Sequence, residues 1–191
     1  MKAIVLAGGE SSRMGQDKAL LSFQGKPLLA HIAHILESAG YEVYIAGKKP
    51  IYDVFPYLQI ADIYPDKGPL GGVYSALSYL KEDILVCPCD MPFINAHLLS
   101  FLLSNADYSK INVLTYAEKV YPTLGIYPYI FTTKLQEYIT QNKLKMLTLL
   151  QELKAQLIPY PQTPDANSYF KNVNTPQDWK NLGTISDQSN S

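Results

Sequence analysis

The sequence predicts an α/β domain with a mostly parallel, doubly wound central sheet. Three observations predict it. Short apolar runs that read as strands, at residues 3–6, 42–46, 58–61 and 84–88, alternate with stretches whose apolar residues recur at helical spacing. The first run, Ala3-Ile4-Val5-Leu6, is continuously apolar, as a strand covered on both faces is. It is followed at once by a glycine-rich segment, and in such sheets ligands sit beyond the carboxyl ends of the strands.

That segment is LAGGESSRMGQDK, from Leu6 to Lys18. Glycines at a strand end let backbone N–H groups approach phosphate oxygens with no Cβ in the way, and Arg13 and Lys18 add fixed positive charge. The chemistry is that of a bound polyphosphate. A glycine turn that merely ends a strand would explain Gly8 and Gly9 but not the spaced Arg13 and Lys18. Two better-known glycine loops do not fit. Gly15 is followed by Gln16-Asp17 and no hydroxyl residue follows Lys18, unlike a P-loop. Gly8 and Gly9 are adjacent, unlike the G-x-G-x-x-G dinucleotide fingerprint.

With 191 residues, one domain over 1–182 is expected, and the polar residues 183–191 read as a disordered tail. The formal net charge of −1 draws the chain neither to nucleic acid nor to an anionic membrane. No apolar run approaches the roughly 20 residues of a spanning helix, and Met1-Lys2 leads into a strand without a signal-like segment, so a cytoplasmic location is expected. The two cysteines, Cys87 and Cys89, are expected to point to opposite faces of one strand, which rules out a disulfide framework. The 15 tyrosines are spread along the chain, and most read as core edge and surface.

Element by element, residues 20–23 form a short apolar run ending in a turn at Gln24-Gly25-Lys26. Pro27 suits a first helical position, Leu28, Leu29, Ile32, Ile35 and Leu36 keep helical spacing, and Gly40 is placed to end the helix. His31 and His34 lie on that helix with no carboxylate or cysteine to complete a metal site, and read as ordinary surface or core residues. A strand over 58–61 ends at Asp62, at an expected ligand edge. Asp66-Lys67-Gly68-Pro69-Leu70-Gly71-Gly72 then opens a helix; alone it is a plain helix start, and beside the first loop it becomes a second wall of one site, with Gly71 allowing close approach. The strand over 84–88 ends at Cys89-Asp90-Met91-Pro92. Mg²⁺ takes oxygen ligands and needs only one or two carboxylates when phosphates and water supply the rest, so Asp90 is the metal candidate. The competing reading makes Asp90 the cap of the helix near 96–103. Residues 111–116 and 121–127 read as strands around a turn at Glu118-Lys119, and 129–140 and 144–153 as helices. Lys143 and Lys145 are candidates for an anionic acceptor, or simply solvated. Residues 158–164, with three prolines, read as irregular, and 170–176 as extended, with asparagines alternating before a final short helix opened by Thr175-Pro176.

The segments LAGGESSRMGQDKALL, DIYPDKGPLGG, CPCDMPFI, YPTLGIY and NVNTPQDW together resemble the molybdenum cofactor guanylyltransferases. The resemblance extends to about Leu182 and implies a Rossmann-like, three-layer αβα nucleotidyltransferase fold. It implies an enzyme that binds GTP with Mg²⁺ and transfers GMP to the terminal phosphate of molybdopterin, releasing pyrophosphate. By position, Leu6, Ala7, Gly8 and Gly9 match the family's nucleotide loop, Lys18 its phosphate-binding lysine, Asp62 a GTP-contacting aspartate and Asp90 its Mg²⁺ ligand. Arg13, Lys18 and Asp90 would then carry the transfer, with Gly71 beside the nucleotide. Proteins that deliver molybdopterin or accept the product are the implied partners. The chain departs from the family where it has Ala46 in place of an asparagine and Tyr121 in place of a histidine. Three other readings stay open: a cytidylyl sibling acting on molybdopterin or on a sugar or polyol phosphate, a non-catalytic GTP-binding module, and an α/β domain that binds something else.

Overall fold

In a computed structural model, which describes residues 1–7, 17–173 and 178, the first apolar run is strand β1 (Lys2–Leu6). Its side chains alternate between two cores: Ala3, Val5 and Ala7 enter one and Ile4 the other. A short 3-10 turn at Lys18–Leu20 leads to a small hairpin of β2 (Ser22–Phe23) and β3 (Lys26–Pro27). Gln24 and Gly25 turn it with φ of 49° and 78°, the pair of positive φ values that a tight two-residue hairpin requires. Helix α1 (Leu28–Ser38) stops where expected: Gly40 at φ 87° lets its own N–H reach the Glu37 carbonyl and that of Tyr41 the Leu36 carbonyl.

Next in the chain are β4 (Glu42–Ala46), β5 (Leu58–Ile60), α2 (Gly68–Leu80), β6 (Ile84–Pro88) and α3 (Ala96–Ser104). β7 (Asn112–Tyr116), β8 (Lys119–Tyr127), α4 (Thr132–Thr140), α5 (Met146–Glu152), β9 (Gln156–Pro159) and α6 (Ala166–Tyr169) complete the described elements. Among the described residues the main sheet has seven strands in the order β5-β4-β1-β6-β8-β7-β9. β8 pairs antiparallel with both β6 and β7, and the other recorded pairings are parallel. Residues of α1, α3 and α6 fill the core on one face, and residues of α2, α4 and α5 the core on the other. The result is the three-layer, Rossmann-like architecture anticipated above. No helix among the described residues is long and apolar enough to cross a membrane.

Two expectations need correction. Residues 158–164 are not wholly irregular, because Ile158 and Pro159 end the edge strand β9, parallel to β7. Gln156 and Tyr160 donate backbone N–H groups to Ile111 and Thr115. The period of two turns residue 159 outward, where an edge strand tolerates the missing N–H of proline. Cys87 and Cys89 do not point to opposite faces: residues two apart share a face, and both thiols lie free in the core that holds α1. The turn at Ala117-Glu118 has φ of 47° and 62°, again a tight hairpin. The final helix start at Thr175-Pro176, the boundary near Leu182 and the polar tail lie outside the described residues.

Gly125 is demanded by packing. The register between β7 and β8 slips between Val113 and Leu114, and a Cβ on Gly125 would stand 2.2 Å from the Asn112 carbonyl oxygen and 2.8 Å from Val113 Cγ1. Neither the backbone nor the buried valine can withdraw. Gly125→Ala is expected to lower stability by about 2–3 kcal/mol, measured as a shift of the urea midpoint.

Candidate active site

The chain runs from β1 outward to β4 and β5 on one side, then returns through α2 to β6 on the other. β1 and β6 therefore border the switch point of the sheet, where the crevice beyond the strand ends is widest. Leu6 pairs with Pro88, and the Cys89 N–H donates to the Leu6 carbonyl at 3.3 Å, so Ala7 and Asp90 leave the sheet side by side. Asp90 is not the cap of α3: the Asn95 side chain accepts from the Leu98 N–H at 2.9 Å and does that job. Asp90 instead sits half-buried in the turn, and its carbonyl accepts the Val173 N–H at 2.8 Å, which ties residues near the described end of the chain to this edge. Burial raises the Asp90 carboxyl above its ordinary range; Lys18 opposes the rise, followed by the residue's own backbone N–H and by Lys119.

Lys119 escaped the sequence reading. β8 runs against its neighbours, so its first residue, and not its last, reaches the edge where β1 and β6 end. The lysine is exposed, its Nζ lies 4.8 Å from the centre of the Tyr121 ring, and its charge is felt at Asp90. Tyr121 is buried, and its hydroxyl donates to the Phe170 carbonyl at 3.4 Å. Phe170 in turn stacks on Tyr116 with ring centres 4.6 Å apart.

On the other side of the switch point, Asp62 follows β5. Partial removal of its carboxyl from water and the nearby Asp66 charge push it up from the usual carboxylate range. Ser75 anchors this segment: its hydroxyl accepts the Ile63 N–H at 2.9 Å and donates to the Gly71 carbonyl at 2.8 Å. Gly71 itself faces Lys67 and the Tyr64 carbonyl, each 3.1 Å from where a Cβ would be, whereas Gly72 abuts Leu6 and Ala46 at 3.1 and 3.4 Å, with Asp62 Oδ1 at 4.0 Å. The small Ala46 thus helps α2 come close to the ends of β1 and β4.

Lys18 follows Asp17, whose carboxylate takes an ion pair from Lys49 at 2.8 Å and caps the Ala19 N–H at 3.1 Å. The Tyr52 hydroxyl stands within 3.0 Å of both Asp17 carboxylate oxygens. Among the predicted site residues, Leu6, Ala7, Lys18 and Asp90 gather where β1 and β6 end, and Asp62 lies beside Gly72 near Leu6; Gly71 faces Lys67 and the Tyr64 carbonyl, and Gly8, Gly9 and Arg13 lie outside the described residues. Lys143 and Lys145 border a small cavity of about 190 Å³ with Tyr138, Asn142 and Thr148, and Lys67 reaches Asn142 at 3.1 Å. His31 donates from Nε2 to the Pro92 carbonyl at 2.8 Å and packs edge-on against Phe23, a structural tie between α1 and the turn after Asp90.

No group of three histidines, cysteines or carboxylates converges among the described residues. A site with one partly buried carboxylate at a strand end suits Mg²⁺, which draws its remaining ligands from phosphates and water. Asp90 fits that requirement.

Residues 3–156 match the MobA-like NTP transferase domain family. A molybdenum cofactor guanylyltransferase of Xanthomonas euvesicatoria is 32% identical over 188 residues, covering 94% of this chain and 92% of that protein. A Flavobacterium johnsoniae protein, named a probable molybdenum cofactor guanylyltransferase, is 32% identical over 184 residues, covering 95% of this chain and 96% of its own length. In structure, the molybdopterin-guanine dinucleotide biosynthesis protein A of Archaeoglobus fulgidus superposes with a TM-score of 0.81 at 23% identity, covering 98% of this chain and 100% of that one. The chain therefore belongs to the MobA-like NTP transferases and, within them, to the molybdenum cofactor guanylyltransferase family.

Proposed function

We propose that this protein transfers GMP from GTP to the terminal phosphate of molybdopterin, giving molybdopterin guanine dinucleotide and pyrophosphate. The observation that carries the reading is the half-buried Asp90 carboxylate at the switch point, on which the charges of two lysines from distant parts of the chain, Lys18 and Lys119, both act. The names of the relatives supply the nucleotide and the acceptor.

An acceptor phosphate oxygen attacks the α-phosphorus of GTP; the bond from that phosphorus to the bridging oxygen breaks, and its electrons leave with pyrophosphate. Two anions meet, so the work of the site is charge neutralisation and alignment. Backbone groups of Leu6, Ala7, Gly8 and Gly9, with Arg13 and Lys18, bind the triphosphate. Asp90 would hold Mg²⁺, which when bound neutralises charge on the phosphate oxygens. Lys119, reaching the edge from β8, receives the acceptor phosphate. That phosphate is already ionised near neutral pH, so no side chain need remove a proton. Asp62 offers a carboxylate to the guanine N1–H and N2–H₂ donors or to the ribose, beside Gly71 and the start of α2. The reaction belongs in the cytoplasm, beside proteins that deliver molybdopterin and accept the dinucleotide.

The direct test is pyrophosphate release with Mg²⁺ and molybdopterin, comparing GTP, CTP and ATP: GTP alone should support it. Release with CTP alone would move the protein to cytidylyl transfer, and GTP binding without release would make it a binding module. Lys18→Ala and Asp90→Asn are each expected to reduce turnover at least about a hundredfold. Asp90→Asn should do so without lowering the melting temperature of the metal-free protein at neutral pH. The sign follows from the raised carboxyl: ionised Asp90 destabilises the fold above its folded pKa, and the amide removes that charge. Lys119→Ala should raise the KM for molybdopterin about tenfold and leave GTP affinity unchanged, as read by titration and steady-state kinetics.

A further inference from the structure

The aspartate that precedes Lys18 has no part in the chemistry above, and its surroundings explain its presence. Tyr52, in a 3-10 turn at Pro50–Tyr52 beyond β4, is wholly buried. Its hydroxyl oxygen lies 2.9 Å from the Ala7 carbonyl oxygen and 3.0 and 2.9 Å from Asp17 Oδ1 and Oδ2. Ala7 and Asp17 flank residues 8–16, so a single phenolic O–H is shared between acceptors on the two sides of the glycine-rich segment. Burial, the Asp17 charge and the hydrogen bond to it all push the phenol pKa up, which keeps that proton in place. Lys49 adds a second tie: its Nζ pairs with Asp17 Oδ2 at 2.8 Å and lies 5.4 Å from the centre of the Tyr52 ring. The turn is itself anchored to β5, because the Lys49 N–H donates to Gln59 Oε1 at 2.9 Å and Gln59 Nε2 donates to Asp53 Oδ1 at 2.7 Å.

Among the described residues, Asp17 therefore faces three donors: the Lys49 ammonium, the Tyr52 hydroxyl and the Ala19 N–H. They fix the backbone from which Lys18 projects. Joining the two ends of a segment through one buried group removes conformational freedom that a ligand would otherwise have to remove on binding.

We propose, building on the transferase reading, that Tyr52 and Lys49 are positioning residues: acting through Ala7 and Asp17, they clasp both ends of residues 8–16 and aim Lys18 at the triphosphate. Neither touches substrate in this scheme.

The test compares wild type with Tyr52→Phe, Lys49→Met and Lys49→Arg, first by trypsin cleavage after Arg13 in the nucleotide-free protein, followed by mass spectrometry. kcat and the KM values for GTP and molybdopterin are then measured. Tyr52→Phe, with an unchanged circular dichroism spectrum, is expected to speed cleavage after Arg13 about tenfold and to lower kcat/KM for GTP by about as much, the effect of one hydrogen bond. The KM for molybdopterin stays put, a split that general loosening of the fold would not produce. Lys49→Met moves both readouts the same way by less, and Lys49→Arg restores them. Wild-type cleavage and wild-type GTP kinetics in Tyr52→Phe and Lys49→Met overturn the proposal, as does faster cleavage with unaltered GTP kinetics. If Tyr52→Phe does not fold, the Lys49 pair decides by the same criteria. Wild-type protein that releases no pyrophosphate removes the transferase reading; cleavage rates and GTP affinity then decide the clasp.

Discussion

The parallel pairing of β1 with β6 is the constraint on which the site depends. Strands that neighbour β1 on its two sides come from different stretches of the chain, and the helices that connect them lie on opposite faces. The sheet therefore opens a crevice where β1 and β6 end. One hydrogen bond past the strands, from the Cys89 N–H to the Leu6 carbonyl, carries the pairing to the point where Ala7 and Asp90 emerge. Because β6 is buried along its whole length, Asp90 leaves a dry core and keeps part of that dryness. A carboxylate in such a place gains most from cations brought close to it, and among the described residues Lys18 and Lys119 act on it.

The strand that runs antiparallel to its neighbours in the main sheet, β8, matters for the same reason. Parallel strands present only their carboxyl ends to the crevice. β8 reverses direction and brings its first residue there, so Lys119, with its Nζ over the Tyr121 ring, comes near enough for its charge to act on Asp90. The bulge that slips β7 against β8, with Gly125 at the close approach, is the local consequence of fitting that reversed strand between β6 and β7. On the opposite side, Ser75 and Gly72 let α2 settle against the ends of β1 and β4. Asp62 is positioned by backbone contacts of its neighbours, without an ion pair of its own among the described residues.

The tyrosines divide by their polar tips. Tyr127 is fully buried, and its hydroxyl reaches the Pro122 carbonyl at 2.6 Å; Tyr52 is equally buried, but its tip faces the two ends of the glycine-rich segment. A phenol brings a large apolar body into the core and one hydrogen bond to its edge. Here the core itself thereby reaches the segment beside the nucleotide edge.

Local regularities along the chain determined the strands β1, β4, β5 and β6, the helices α1 to α3, the glycine-rich segment with its lysine, and the aspartates at strand ends. Each depends on residues within a few positions of one another: period, caps, and turns that need glycine. The shared face of Cys87 and Cys89 also follows from period two alone, so the expectation of opposite faces misapplied a rule the sequence already contained. Tertiary structure alone decided the rest. β9 becomes a strand because β7 offers it an edge, Lys119 becomes a site residue because β8 runs backwards, and Tyr52 meets Asp17 across 35 positions. No short-range pattern encodes such meetings, since they arise when separate elements pack and their unpaired donors and acceptors find partners in the same buried space.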